Sequence, residues 1–363
     1  MDYGVGFGKV SQKKMKIGLY MCGGEKPESG VPLGIGYLLT NSNVLSADIT
    51  YCETRRALEV SRWDIVGLSA VAAGLPEAVE IAKQYRDAGS PEMVALGGQS
   101  TLWGGLDGLG LFDWIIEGEG ELMLPALLSL PSGRHKATPV RLDALNFPER
   151  GYLYGGKVPM VTSRGCPWRC AFCSSSQYWG KPRYCSPKYF IAEVEDILKK
   201  YLDARWLYIM DDLFTAHQSR FDIIYDLWMK RGLNRRLGLW SFVRANTFNE
   251  RQALRMKEMG FRAVRFGAES GSDRVLELLG KRATVEMNQQ AIDAANKAGL
   301  NISCSYMWGI PSETEQERQE TLDFIERNRG KAAVEGYYQF VSFPGMPMYD
   351  GASPLTTDMR NRA

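Results

Sequence analysis

Twice along this chain, short apolar runs alternate with segments that have helical spacing. In residues 15–130 the runs are KIGLYM, ADITYCE, DIVGLSAV, EMVALGG and WIIEGEG, most of them too uniformly apolar for one face to meet water. Strands of a parallel sheet covered on both faces have this pattern. Intervening segments such as LPEAVEIAKQYRDAG place their apolar residues on one helix face. The alternation predicts a doubly wound α/β domain, with ligands bound beyond the carboxyl ends of its strands.

A second alternation occupies residues 158–349. It is shorter than the ~250 residues that a closed eightfold barrel typically needs, so it predicts a partial (β/α)6 TIM-type barrel. Helices are expected between successive strands, including 187–202, 218–230, 249–259 and 313–328. The six predicted strand segments are VPMVTSR, WLYIMDD, LGLWSFVRA, FRAVRFGAES, NISCSYMWGI and EGYYQFVSF.

Residues 131–157 separate the two alternations and contain Pro, Gly and charged residues without a period. This composition predicts a linker. A flexible tail is expected at 1–14 and a carboxyl-terminal tail at 350–363, so the predicted domains are 15–130 and 158–349.

Composition narrows the possible functions. The chain has 363 residues with 45% hydrophobic residues and a net charge of +2, which suits two globular domains and gives no sign of nucleic-acid binding. Its amino terminus has no signal-peptide core, and no run reaches the ~18 apolar residues of a membrane span. We expect a cytoplasmic protein.

Three of the seven cysteines lie within eight residues, in the stretch RGCPWRCAFCSS. Cys166, Cys170 and Cys173 directly follow the first predicted barrel strand, and the carboxyl ends of barrel strands are where such folds carry their active sites. The other four cysteines are scattered singly, which is typical of small buried apolar residues rather than of a disulfide framework.

The three thiols predict a metal centre. Structural zinc usually takes four ligands, and no fourth Cys or His is nearby, since Cys185 follows only after Pro182. Three thiolates on one tight loop suit three corners of a 4Fe–4S cluster and leave the fourth iron open to a substrate or cofactor.

The CxxxCxxC spacing, with an aromatic residue (Phe172) before the last cysteine, resembles the radical S-adenosylmethionine (SAM) superfamily. In that superfamily the open iron binds the amino and carboxylate groups of SAM. An electron from the cluster then cleaves SAM to methionine and a 5′-deoxyadenosyl radical. The resemblance extends over most of residues 158–349.

The same resemblance assigns further residues to SAM. It implies that Asp211 or Asp212, after the second barrel strand, faces the methionine ammonium group. Arg244 would pair with the methionine carboxylate, although a structural salt bridge is an equal alternative. Residues expected in contact with the nucleoside are Glu269, Ser270 and the backbone near Ile310.

The first domain resembles the Rossmann-like cobalamin-binding domain that precedes the barrel in one branch of this superfamily. PLGIGYLL, DIVGLSAV, LGGQST and DWIIEGEGE carry this likeness, against the alternative of a generic α/β domain. A simple dinucleotide site is disfavoured because no GxGxxG follows the first strand. The expected cobalamin contacts are Ser69, Gly97, Gly98, Gln99, Glu117 and Gly118.

The usual cobalamin motif DxHxxG is absent, and no histidine precedes His135. Any cobalamin is therefore expected to lack a protein imidazole on cobalt. The related methylthiotransferases need three more cysteines in this domain, whereas only Cys22 and Cys52 are present, so that reading is rejected.

These features predict a cobalamin-dependent radical SAM enzyme that methylates an unactivated carbon. The alternatives are cyclisation or rearrangement without methyl transfer, a first domain that no longer binds cobalamin, and a degenerate binding or electron-transfer module. The expected partners are a reductant such as flavodoxin or ferredoxin and a substrate that is large or presented by another protein.

Overall fold

A computed structural model describes residues 14–23, 29–42 and 47–351. The first predicted tail, apart from Lys14, and the last twelve residues of the chain lie outside these ranges. The amino-terminal half contains a six-stranded parallel sheet in the order β2-β1-β3-β4-β5-β6. Its strands are β1 (Met15–Cys22), β2 (Ala47–Tyr51), β3 (Ile65–Ala70), β4 (Met93–Gly97), β5 (Trp114–Glu117) and β6 (Gly133–Lys136).

Helices α1 (Leu33–Asn41), α2 (Arg55–Glu59) and α3 (Leu75–Asp87) connect these strands. Strand β2 lies on one side of β1 and β3 lies on the other. The strand order therefore reverses between β1 and β3. In open α/β sheets, ligands bind at the carboxyl ends of strands near that point.

Strand β6 corrects the linker prediction for residues 133–136. GRHK is short and polar, so its sequence has no apolar pattern of a strand, and it forms the sheet edge by pairing with β5. His135 lies in this strand, and its Nε2 is 2.8 Å from the carbonyl oxygen of Pro131.

The second half contains a six-stranded parallel sheet in the order β7-β10-β11-β12-β13-β14. The predicted doubly wound domain followed by a partial (β/α)6 barrel is confirmed. The six strands are β7 (Lys157–Met160), β10 (Trp206–Ile209), β11 (Gly238–Phe242), β12 (Phe261–Glu269), β13 (Asn301–Trp308) and β14 (Ala333–Gln339).

The helices of this half cover one face of the sheet. Their apolar residues form the main core with the strand residues that point outward, such as Leu207, Ile209 and Leu239. The helices are α4 (Ser175–Trp179), α5 (Pro187–Lys200), α6 (Gln218–Lys230), α7 (Glu250–Met259), α8 (Asp273–Leu278), α9 (Val285–Lys297) and α10 (Glu315–Arg327).

The segment after β7 departs from the prediction of one strand over 158–164. The parallel strand ends at Met160, and β8 (Ser163–Arg164) pairs antiparallel with β9 (Arg183–Tyr184). This small hairpin encloses the cysteine-rich stretch and holds both of its ends at the mouth of the barrel.

Candidate active site

The three clustered thiols lie on the loop between β8 and α4. Gly165, with a φ of 87°, turns the chain from the strand into this loop, and a side chain there would press against Trp179. The loop is tied to the far side of the barrel because Ala171 N donates to the carbonyl of Leu279 at 2.8 Å. Cys170 is buried, whereas Cys166 and Cys173 are partly exposed.

Burial raises the pKa of the Cys166 thiol and raises that of Cys173 to about 11. Within the described ranges, no three Cys, His, Asp or Glu side chains converge closely enough to bind one metal ion. The described residues around the loop therefore form no preorganised site for a single ion such as zinc.

The two adjacent carboxylates after β10 have different surroundings. Asp211 is buried and accepts four hydrogen bonds, from the backbone N–H and hydroxyl groups of Thr162 and Ser163, at 2.5 to 3.0 Å. It holds the turn that precedes the thiol loop, so the predicted contact of Asp211 with SAM is not supported.

Asp212 points to the other side, toward the cysteines. Its Oδ2 accepts from Ser175 Oγ at 2.6 Å, and burial raises its pKa. Its charge raises the pKa of Cys166, after the larger effect of burial. Of the pair, Asp212 is the carboxylate available to a ligand of the site.

Glu269 ends β12 in a left-handed conformation, with a φ of 66°. Its Oε1 accepts from Lys281 Nζ at 2.7 Å in a buried ion pair, and the Lys281 ammonium lies 5.6 Å from the ring centre of Phe172. The structure thus brings Glu269 and Phe172 together through a lysine that the sequence analysis missed. In Ser270, by contrast, the hydroxyl bonds Thr321 and the Ser272 amide, so this side chain serves the α8 turn.

Phe172 also packs against a small apolar cluster at the barrel mouth. Ile310, just beyond β13, belongs to this cluster with Val275 and Leu279. The sequence-predicted segments around Phe172, Glu269 and Ile310 therefore meet at one place.

Arg244 lies two residues beyond β11 and is buried. Its Nη1 is 3.4 Å from the Sγ of Cys170, and its guanidinium lies 4.4 Å from the ring centre of Trp168. No carboxylate of the described chain forms an ion pair with it, so the alternative of a structural salt bridge is not observed.

A cavity of about 350 Å³ lies between the two sheets. The amino-terminal half contributes Ser69, Gly97, Gly98, Gln99 and Gly118, all at or beyond the carboxyl ends of β3, β4 and β5. The barrel half contributes the side chains of Val161, Arg164, Tyr178, Trp179, Met210 and Asp212.

Two glycines shape the first-domain side of this cavity. A side chain at Gly97 would extend into open space. At Gly98, which has a φ of 90°, an added Cβ would lie only 2.4 Å from the carbonyl oxygen of Ala70. Glu117 does not line the cavity because it pairs with Arg134 of β6 at 2.6 Å. Its predicted cobalamin contact is therefore not supported.

Buried ion pairs join the two halves beside the cavity. Arg164 donates to Glu119 at 2.7 Å and to Glu121 at 2.6 Å, and Arg183 also donates to Glu119 at 2.7 Å. Tyr178 Oη adds a 2.9 Å bond to the carbonyl oxygen of Gly118. This network was not predicted, although the acidic residues of GEGE and the arginine of RG are present in the sequence.

Neither histidine of the described chain lines the cavity. His135 lies on the β6 edge, and His217 caps α6, with its Nδ1 accepting from the Arg220 amide. The four scattered cysteines are buried and unpaired, as predicted.

Residues 160–325 match the model of the radical SAM superfamily. An uncharacterised methyltransferase of Pyrococcus horikoshii is 29% identical over 340 residues, which cover 82% of this chain and 74% of that protein. The anaerobic magnesium-protoporphyrin IX monomethyl ester cyclase of Rubrivivax gelatinosus is 24% identical over 82% of this chain and 61% of its own length.

Among solved structures, the radical SAM methyltransferase TsrM of Kitasatospora setae, with cobalamin and a 4Fe–4S cluster bound, superposes with a TM-score of 0.74. The match covers 92% of this chain and 74% of TsrM at 17% identity. No helix in the described ranges has the length and apolar character needed to cross a bilayer.

Fold, thiol loop and family match together define a radical SAM enzyme. Residues 160–325 form a radical SAM domain, and over both of its halves the chain has the fold of the cobalamin-binding radical SAM methyltransferase TsrM. Enzymes of this superfamily need a reductant.

Proposed function

We propose that this protein is a cobalamin-dependent radical SAM methyltransferase that methylates an unactivated carbon. One observation carries the proposal. The cavity between the sheets is lined both by Gly97 and Gly98 of the Rossmann-like domain and by Asp212 beside the thiol loop. Two cofactors, one held by each domain, could therefore meet in a single cavity.

Cys166, Cys170 and Cys173 would hold the 4Fe–4S cluster, which supplies the electron for cleavage of SAM bound at its open iron. Asp212 would face the ammonium group of SAM, and Glu269 with Lys281 would face its ribose or carboxylate. Phe172 and the backbone near Ile310 would border the adenine. Arg164, Tyr178 and Trp179 line the cavity on the barrel side of this site.

The residues at the ends of β3 and β4 fit a corrinoid in two respects. Gly97 leaves room for close approach of a ligand to the backbone, and Ser69 offers a hydroxyl at the cavity wall. Bound cobalamin would act as the methyl carrier, and the position of both histidines outside the cavity supports binding without a protein imidazole.

We further propose flavodoxin or ferredoxin as the reductant and the cytoplasm as the compartment. The substrate is proposed to be large or presented by a partner.

A second candidate is cyclisation or rearrangement without methyl transfer, favoured by the similarity to the Rubrivivax cyclase. The decisive experiment is anaerobic incubation of the reconstituted protein with methyl-labelled SAM and an extract of its host. One labelled product methyl and one 5′-deoxyadenosine per turnover support the methyltransferase. Formation of 5′-deoxyadenosine with an unlabelled product supports the second candidate. Purified protein without corrinoid absorbance after reconstitution would overturn the cobalamin assignment.

A further inference from the structure

Arg244 is held against the thiol loop on several sides. Its Nη1 donates toward Cys170 Sγ at 3.4 Å, its Nη2 donates to the carbonyl oxygen of Lys281, and its Nε donates to Asn246 Oδ1 at 3.0 Å. The indole of Trp168 covers one face of the guanidinium. Three hydrogen bonds and a stacked ring fix the orientation of this side chain before any ligand binds.

Arg244 and its neighbour Lys281 differ in how their positive charges are balanced. Lys281 is neutralised by Glu269 at 2.7 Å, whereas Arg244 forms no ion pair with a carboxylate among the described residues. Its positive charge is also buried, with 7% of the residue exposed. A buried cation without a carboxylate is costly unless another anion faces it, and the nearest candidate is the thiolate of Cys170.

A hydrogen bond to a cluster sulfur and a nearby positive charge both favour the reduced cluster, which carries one more negative charge. We propose that Arg244 raises the reduction potential of the cluster by donating an N–H to the Cys170 ligand. This inference rests on the proposed function, because it requires the three thiols to hold a 4Fe–4S cluster. It gives Arg244 a role in SAM-free protein, distinct from the SAM carboxylate contact that the resemblance implied.

The test is a potentiometric titration of the anaerobically reconstituted protein without SAM, followed by electron paramagnetic resonance (EPR). In R244Q we expect a more negative midpoint potential, with the ratio of reduced to oxidised cluster at a fixed potential about tenfold lower, which corresponds to 59 mV for one electron. R265Q is the matched control. It removes an arginine from the adjacent strand β12 that pairs with Glu335 and contacts Trp240, and we expect no shift.

Other outcomes separate the alternatives. An unchanged midpoint potential in R244Q, with weaker SAM binding, would overturn the inference and assign Arg244 to the SAM carboxylate. An equal shift in R265Q would also overturn it, because a general charge effect would then suffice. Wild-type protein that takes up no iron would contradict the proposed function itself, and this inference with it.

A second measurement tests the same hydrogen bond without R244Q, in case that variant does not retain the cluster. Wild-type protein labelled with 15N-arginine and reduced without SAM should show 15N hyperfine coupling in pulsed EPR. R244K, grown with the same label, should lose this coupling. A wild-type spectrum identical to that of R244K would overturn the inference.

Discussion

Arg164 and Glu119 form a buried ion pair across the two domains, with 2.7 Å between Nη1 and Oε1. Arg164 immediately precedes the turn into the thiol loop, and Glu119 follows the end of β5. The pair thus connects the segment that would carry the cluster with the segment that would carry cobalamin. The Arg164 guanidinium also lies 5.1 Å from the Tyr37 ring centre and 5.6 Å from that of Trp179.

Removing Arg164 leaves Glu121 buried without its partner and leaves Glu119 with Arg183 alone. We expect R164M to lower the free energy of unfolding, measured by urea denaturation, by about 3 to 5 kcal/mol. R329M is the matched control because Arg329 pairs with Glu326 on the surface, and its loss should cost no more than about 1 kcal/mol. Equal effects of the two substitutions would show that the interdomain network adds no special stability.

The same network predicts a dependence of stability on pH. Burial acts to raise the pKa of Glu119, but hydrogen bonds from Arg183 and Arg164 outweigh it and hold the pKa below its ordinary value. A carboxyl with a lowered folded-state pKa stabilises the protein fully above its unfolded pKa of about 4.3, and that contribution is lost as pH falls through the folded pKa.

We therefore expect the difference in unfolding free energy between wild type and E119Q to be constant near neutral pH. It should shrink as pH is lowered from about 5 toward 3. Chemical denaturation of both proteins at a series of pH values measures this. A difference that grows on acidification would contradict the assignment.

Substitution of Asp211 should affect the stability of the protein, whereas substitution of the adjacent Asp212 should affect its affinity for SAM. D211N replaces a buried acceptor of four hydrogen bonds and should lower the free energy of unfolding by about 3 kcal/mol. D212N should leave unfolding nearly unchanged but weaken SAM binding to the reconstituted protein by about tenfold. Calorimetric titration with SAM and urea denaturation of both variants decide the matter. Loss of SAM affinity in a stable D211N would reverse the assignment.

A bulky side chain in the cavity should abolish corrinoid binding without preventing the protein from folding. G97L places a side chain in open space at the cavity wall, and we expect stable protein that no longer retains corrinoid absorbance after reconstitution. G104L is the control, because Gly104 also has free space but does not line the cavity. Equal corrinoid retention by both variants would place the binding site elsewhere.

The fold could be predicted because strand-like apolar runs alternate with helical segments in both halves, and because central strands of the first sheet such as β3 and β4 are buried on both faces. Strand β6 escaped prediction because GRHK is stabilised by pairing with β5 rather than by an apolar pattern. This omission also explains why the ion pair of Glu117 was not predicted, because its partner Arg134 lies in that strand.

The choice between Asp211 and Asp212 was accessible from the sequence. Successive side chains of a strand alternate between its two faces. Leu207 and Ile209 point to the helix-covered core. By the same alternation the side chain of Asp211 points to that side, and the side chain of Asp212 points into the barrel. The contact of Lys281 with Phe172 and the ion pair of Glu119 with Arg164, in contrast, join segments distant in sequence, and no local pattern specifies them.

The central claim is that three thiolates bind a 4Fe–4S cluster whose fourth iron binds SAM. The most direct measurement is the EPR spectrum of the reduced, anaerobically isolated protein before and after addition of SAM. We predict four irons per chain and a cluster signal whose g values change when SAM binds. Zinc in place of iron, or an iron signal that does not respond to SAM, would contradict the claim.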